Sequence, residues 1–354
     1  MLIKSRNNYI SIAKAIGIIL MVVGHSGCPS VIGNFIYLFH MPLFFVCSGY
    51  FYREIADKVS LLHFYKKRIK GLYLPYLKWS ILFLLLHNVF RNFNITGSVF
   101  YQTHDYIRHF IRLVTMTDYE LLIRPFWFIK ELLFASVIVA SISMIRTHLF
   151  PKIGTFTLLF LSLSIAIFAK FLPLIPLIGD CSLLFLSIAY FYSGILIQKY
   201  KSLIPFTTSM IFISLFVVLI GSILFTGTID MRFTTAKNML PYFLLSLLGV
   251  IMVLCISKKL ENLSFKFAIY YIGNHTMPIL ALNLVSLKVG SLIKIWLYGM
   301  PIEKLASYTV IYENNSTFWI LYSAIGVVIP LLTNYIYHCF FLGKLSIFFK
   351  KIWV

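Results

Sequence analysis

The stretch YISIAKAIGIILMVVGHSG, Tyr9 to Gly27, is apolar enough for a membrane helix yet carries Lys14 and His25. Eleven residues separate the two, close to three full turns at about 100° per residue. Both side chains therefore point to one helix face, roughly 16 Å apart along the axis. An ionisable group at membrane depth is costly and marks a functional candidate. Bland alternatives exist for both. Lys14 lies about one turn inside the segment, where a lysine snorkels to the interface, and a histidine at the far end can simply bond a neighbouring carbonyl. Ala13, Gly17 and Gly24 leave small surfaces on the same helix, where another helix or a ligand can approach closely.

The rest of the chain resolves what kind of helix this is. Of the 354 residues, 60% are hydrophobic and only 12% charged, with a mean hydropathy of +0.89. A water-soluble core cannot absorb that much apolar surface, so the composition reads as an integral membrane protein. The apolar runs are long and rich in Leu, Ile and Phe, which fits helices and not the roughly ten-residue alternating strands of a barrel. The expected fold is all-α: one polytopic transmembrane bundle over residues 1–354, with no separate soluble domain and no evident internal repeat. The polar start runs into the first apolar segment without a cleavage pattern, so no cleaved signal is expected. The five cysteines have no CxxC spacing and suggest neither a metal site nor a disulfide framework.

About ten apolar segments are legible, near 10–28, 33–51, 72–90, 126–145, 155–172, 174–197, 203–225, 238–257, 268–290 and 317–341. One alternating set of loops, with both termini, holds eighteen cations against three acids (Glu54, Asp57 and Glu261). The other set holds ten cations and seven acids. The positive-inside rule then places both termini and the basic loops in the cytoplasm of a multi-pass cell-membrane protein. That asymmetry also accounts for the net charge of +20, so no nucleic-acid partner is expected. The outer loop with YQTHDYIRHFIRLVTMTDYELL (Tyr101–Leu122) mixes basic and aromatic residues, as an interfacial amphipathic helix or a re-entrant piece does.

Further polar motifs recur along the chain. FIYLFHMPLFFVCSGYFY (Phe35–Tyr52) places His40 before a helix-interior Pro42 and carries Ser48–Gly49 for close packing or a break. His25 and His40, both toward the external half, are read together as lining a polar cavity. YKKRIKGLYLPY (Tyr65–Tyr76) packs four cations into five residues, suited to topology, lipid headgroups or an anionic donor's phosphates. RPFWFIKELLFA (Arg124–Ala135) sets Trp127 in an aromatic belt and puts Lys130 and Glu131 about 100° apart, too divergent to pair with each other. IYYIGNHTMPILALN (Ile269–Asn283) carries a polar, proline-containing break, with Asn274 or Thr276 as the expected helix cap.

Taken in order, these segments resemble the membrane-bound acyltransferase family 3. The family's Arg-x10-His appears here as Lys14-x10-His25, followed by Ser26, and the match runs from about residue 9 to 285. Lys14 replaces the usual arginine, so a bidentate clamp becomes a point charge. The Arg-x-x-Arg before the third span is degenerate, with Gly71 three residues after Arg68, and Asn283 stands where relatives often have histidine. The resemblance implies an O-acetyltransferase of the cell envelope that serves polysaccharide biosynthesis. It would move an acyl group, most often acetyl, from acetyl-CoA or another acyl-CoA to a sugar hydroxyl of a carbohydrate or lipid-linked glycan. No metal is expected. His25 is read as general base or transient acyl carrier, with His40 and Ser26 beside it. Lys14, Lys67, Arg68 and Lys70 are read as the donor-binding cations. A transporter or flippase for a lipid-linked sugar is the competing class, since it too needs many spans and a polar cavity.

Overall fold

A computed structural model describes residues 8–176, 178–264, 266–314 and 317–339. Lys4, Arg6, Lys344, Lys350 and Lys351 of the charge count, and the end of the last apolar segment, fall outside the described residues. The regular elements of the described residues are helices. In order the helices are α1 (Asn8–His25), α2 (Ser30–Tyr50), α3 (Lys58–Arg68), α4 (Leu74–Leu85), α5 (His87–Asn92), α6 (Thr103–Val114) and α7 (Trp127–Leu149). They continue as α8 (Thr155–Phe168), α9 (Cys181–Lys199), α10 (Thr208–Leu224), α11 (Ala236–Leu260), α12 (Lys266–Asn274), α13 (Thr276–Tyr298) and α14 (Trp319–Tyr337).

Six helical segments among the described residues are long and apolar enough to cross a membrane: α2, Leu121–Leu149, α9, α11, α13 and α14. Tyr9–His25, Thr155–Phe171 and Thr208–Leu224 are apolar but shorter. Large apolar side chains such as Phe212, Phe216 and Ile223 on α10 stay exposed, as a hydrocarbon-facing surface requires.

The helix ends follow local chemistry. Asp57 accepts from the Ser60 amide at 2.8 Å and starts α3. Asp180 and Thr207 do the same for α9 and α10. After α1 the chain reverses at Gly27, whose φ of +79° favours a residue without Cβ. Gln102 and Asp105 form a reciprocal capping box for α6. This helix realises the amphipathic alternative for the stretch Tyr101–Leu122.

Packing depends on small residues. A Cβ on Gly49 of α2 would lie 1.9 Å from the Phe191 carbonyl oxygen of α9, and one on Gly194 2.1 Å from the Val46 oxygen. The α2–α9 crossing is therefore at backbone contact, and an alanine at either glycine forces the helices apart. Gly273 stands equally close to the Ser11 carbonyl, seating α12 against α1.

Pro42 does not end α2, which continues to Tyr50. Proline has no N–H for the carbonyl of residue 38. The Ser246 hydroxyl of α11 shares its proton between the Leu38 oxygen at 2.7 Å and the Tyr242 carbonyl oxygen of its own helix at 2.5 Å, and the Tyr242 hydroxyl donates to the Tyr37 oxygen at 2.9 Å. Two α11 side chains one turn apart thus satisfy the backbone that the proline disturbs.

Two sequence expectations are corrected. Lys288 and Lys294, counted with an outer loop, lie inside α13 and are buried. The break between α12 and α13 falls at His275, with neither Asn274 nor Thr276 as the cap. His275 Nδ1–H donates back to the Tyr271 oxygen at 2.7 Å, which ends α12 without a side-chain N-cap for α13.

Candidate active site

α1 and α2 run antiparallel, so the C-terminal end of α1 meets the first half of α2. This brings His25 and His40 to one cavity of about 240 Å³. Its lining adds Met21, Tyr37 and Met41 from the same two helices. Arg124, Pro125 and Trp127 come from the start of the Leu121–Leu149 segment. The loop before α11 contributes Asp230 to Phe233, and the loop after α13 contributes Tyr308.

The two histidines are held differently. His40 is buried, and its Nδ1 lies 2.9 Å from the Ile36 carbonyl oxygen. A carbonyl only accepts, so the proton sits on Nδ1, and a neutral ring then carries its lone pair on Nε2. Half-buried His25 has no hydrogen bond to its ring among the described residues. Tyr37 ties the pair together. Its hydroxyl donates to the Gly24 carbonyl at 3.1 Å, and its ring stands edge-on to His40 with centroids 5.1 Å apart.

An acid is present in the cavity that no sequence neighbourhood revealed. Asp230 accepts from the Arg232 backbone amide at 2.8 Å, from Nε at 3.3 Å and from Nη2 at 3.0 Å. It is therefore committed to Arg232 and makes no hydrogen bond to either histidine. The Arg232 guanidinium also lies over the Trp127 and Phe233 rings, 5.2 and 4.8 Å from their centroids. Arg124 lies over Tyr308 at 5.5 Å. Burial raises the Tyr308 hydroxyl above its ordinary pKa, against the opposing charges of Arg124 and Arg232.

The other predicted residues are placed elsewhere. Ser26 is outside the lining: its hydroxyl donates to the Val23 oxygen at 2.7 Å and accepts from Ser323 of α14 at 2.9 Å. Lys14, half-buried, lies three turns down α1 near Cys47, and Arg68 donates to Ser48 at 3.3 Å. Both mark the end of the α1–α2 pair opposite His25. Burial lowers Arg68 to about 10, which leaves it cationic at neutral pH. Lys67 and Lys70 are exposed beside it, and the helix takes one π turn over Ile69–Tyr73 directly afterwards. The histidine cluster and the basic segment are thus gathered at opposite ends of α1.

Glu131 is buried, and its Oε2 has no hydrogen-bond partner among the described residues. It forms no ion pair with Lys130, in keeping with their divergence on the helix. Asn283 turns its amide back to the Ile279 and Leu280 carbonyls. Among the described residues no group of three His, Cys, Asp or Glu side chains gathers to hold a metal ion.

The acyltransferase domain model of the family Acyl_transf_3 matches residues 7–335. The chain belongs to acyltransferase family 3. With its apolar helices it is a multi-pass membrane acyltransferase. No curated protein and no solved structure matches it significantly.

Sequence reasoning missed Arg124, Asp230, Arg232 and Tyr308 as cavity residues, and assigned Trp127 to an aromatic belt. The available signal was weak. Asp230-Met231-Arg232 is an acid and a base two apart in a short loop, a pattern with no chemistry of its own until the loop folds over α1 and α2.

Proposed function

We propose that this acyltransferase moves an acetyl or similar acyl group from cytoplasmic acyl-CoA to a sugar hydroxyl on the outer side of the cell membrane. The reading supposes ten spans with both termini inside. The observation that carries it is the shared placement of His25 and His40 in one cavity, three helical turns from Lys14 and the basic segment.

The acceptor hydroxyl oxygen attacks the thioester carbonyl carbon while His25 takes the hydroxyl proton. The tetrahedral intermediate collapses, the C–S bond breaks, and the CoA sulfur leaves and is protonated. His25 suits the base because its ring is not tied to the backbone and keeps a lone pair available. His40, pinned through Nδ1–H, keeps the Nε2 lone pair and, as a lining residue of the same cavity, can orient the hydroxyl. At the other end Lys67, Arg68 and Lys70 meet the donor's phosphates, with Lys14 between them and His25. An extended pantetheine arm of about 15–20 Å is comparable to the rise of roughly 16 Å between Lys14 and His25. The cavity itself, about 240 Å³, is below the roughly 300–1,000 Å³ of drug-sized pockets. It suits a sugar unit and an acyl group better than a nucleotide.

The test is His25→Ala, purified in detergent and matched to wild type for folding. Acyl transfer is expected to fall by about 10²–10⁴-fold while CoA binding persists. Near-normal transfer removes His25 from the mechanism. Absence of transfer and thioester hydrolysis by the wild type favours a flippase instead.

A further inference from the structure

The cavity beside the histidines is unbalanced in charge. Arg124 and Arg232 line it, and Asp230 is its one carboxylate among the described residues. That carboxylate is occupied by Arg232, which contacts both of its oxygens. Arg124 makes no ion pair among the described residues. One guanidinium charge is left over at the mouth of a small, partly apolar cavity.

Both guanidiniums are also steered by aromatic rings, Arg124 by Tyr308 and Arg232 by Trp127 and Phe233. A ring face holds a guanidinium in place but offsets only about 0.5–2 kcal/mol. Arg232 has already given Nε and Nη2 to Asp230, whereas Arg124, hydrogen-bonded to the Tyr308 hydroxyl, keeps further N–H groups for a planar anion. A neutral polyol gives a guanidinium hydrogen bonds assisted by one charge only. A carboxylate or phosphate adds the opposite charge and the two-point geometry that matches the guanidinium fork. Trp127 and Tyr308 add aromatic surface for the apolar face of a sugar ring.

We infer that the cavity selects an anionic sugar, a glycan unit bearing a carboxylate or phosphate, which Arg124 grips beside the Arg232–Asp230 pair while a hydroxyl is offered to His25. The inference rests on the acyltransfer reading for the role of that hydroxyl. The anion site itself stands on the arginines alone.

The experiment reads occupancy and needs no turnover. The full chain is placed in phosphatidylcholine nanodiscs and treated with diethyl pyrocarbonate, and modification of His25 and His40 is read by peptide mass spectrometry. Glucuronate and glucose 1-phosphate are expected to protect both histidines at concentrations about tenfold or more below glucose. Arg124→Gln should remove that advantage, and Arg124→Lys should keep part of it because the charge survives. Arg232→Gln serves as the second variant, with thermal unfolding confirming that its loop still folds. Equal protection by glucose and glucuronate, or no protection by either, overturns the inference. Protection by phosphatidylglycerol nanodiscs alone, with no further effect of sugar, assigns the arginines to a lipid headgroup and also overturns it. Competition by CoA for the same protection assigns them to the donor, with the same consequence. Protection by charged sugars without any acyl transfer leaves the anion site standing and sinks only the proposed reaction.

Discussion

The hydroxyl of Tyr37 donates to the carbonyl of Gly24 at 3.1 Å, one residue before His25. Tyr37 also stacks edge-on against His40, so one side chain fixes the end of α1 against α2 where both histidines meet. Tyr37→Phe keeps the ring and deletes the bond, at a cost of about 1 kcal/mol. Acyl transfer is expected to fall severalfold while thermal stability shifts little. The measurement is transfer rate at saturating donor beside an unfolding curve. A variant with full activity would free the histidine pair from this tie.

How much of this was legible beforehand differs by level. Helices and their polar interruptions were, because period and proline placement act locally: α6, the Ser48–Gly49 contact and the break near His275 all follow from neighbours in sequence. The pairing of His25 with His40 was legible because both sit toward the same end of consecutive antiparallel segments. Asp230, Arg232 and Tyr308 were not, since they reach the cavity only through loops that close over it from late in the chain. Ser26 shows the converse: it neighbours His25 in sequence, yet the end of the helix turns its hydroxyl to Ser323. The buried lysines of α13 were misassigned because a charge count sees sign and spacing but not the carbonyls that receive the amines.

The junction of α2 and α11 gives a second test. Ser246 donates to the Leu38 oxygen that Pro42 cannot engage. Ser246→Ala leaves that buried oxygen bare and is expected to destabilise the protein by about 1–3 kcal/mol. In a Pro42→Ala background the new N–H can bond Leu38, so the same change should cost much less. Unfolding of the four proteins in mixed micelles gives the coupling. Equal losses in both backgrounds would show that Ser246 does not compensate for the proline.

Orientation is tested at two exposed positions. Glu303 and Lys67 are both exposed and lie at opposite ends of the bundle. The native cysteines, of which Cys339 is exposed, are replaced first. In intact cells an impermeant thiol reagent should label a cysteine at 303 and spare one at 67. In the purified protein, Lys67→Gln with Lys70→Gln should weaken CoA binding, and added salt should weaken the wild type in the same direction. External labelling at 67 would put the proposed donor surface on the wrong face.

Two buried lysines hold the segment that delivers Tyr308. Lys288 Nζ donates to the Leu305 oxygen at 2.9 Å and to the Ser307 oxygen at 2.5 Å. Lys294 Nζ donates to the Ile311 oxygen at 2.9 Å and lies over Phe318, 5.0 Å from the ring centroid. Neither pairs with a carboxylate among the described residues. Their ligands are backbone carbonyls on either side of Tyr308, so they act as pins for this strap. Lys288→Met keeps the length of the apolar stem and removes the donors, leaving two strap carbonyls without a partner at about 1–3 kcal/mol each. Hydrogen exchange over residues 302–311 should accelerate, and the acceptor KM should rise more than the donor KM, because Tyr308 and its neighbour Arg124 line the cavity proposed to take the acceptor. Lys294→Met should act in the same direction at the Ile311 end. Unchanged exchange in both variants, or a donor KM that rises as much as the acceptor's, would refute the strap as the element that positions Tyr308.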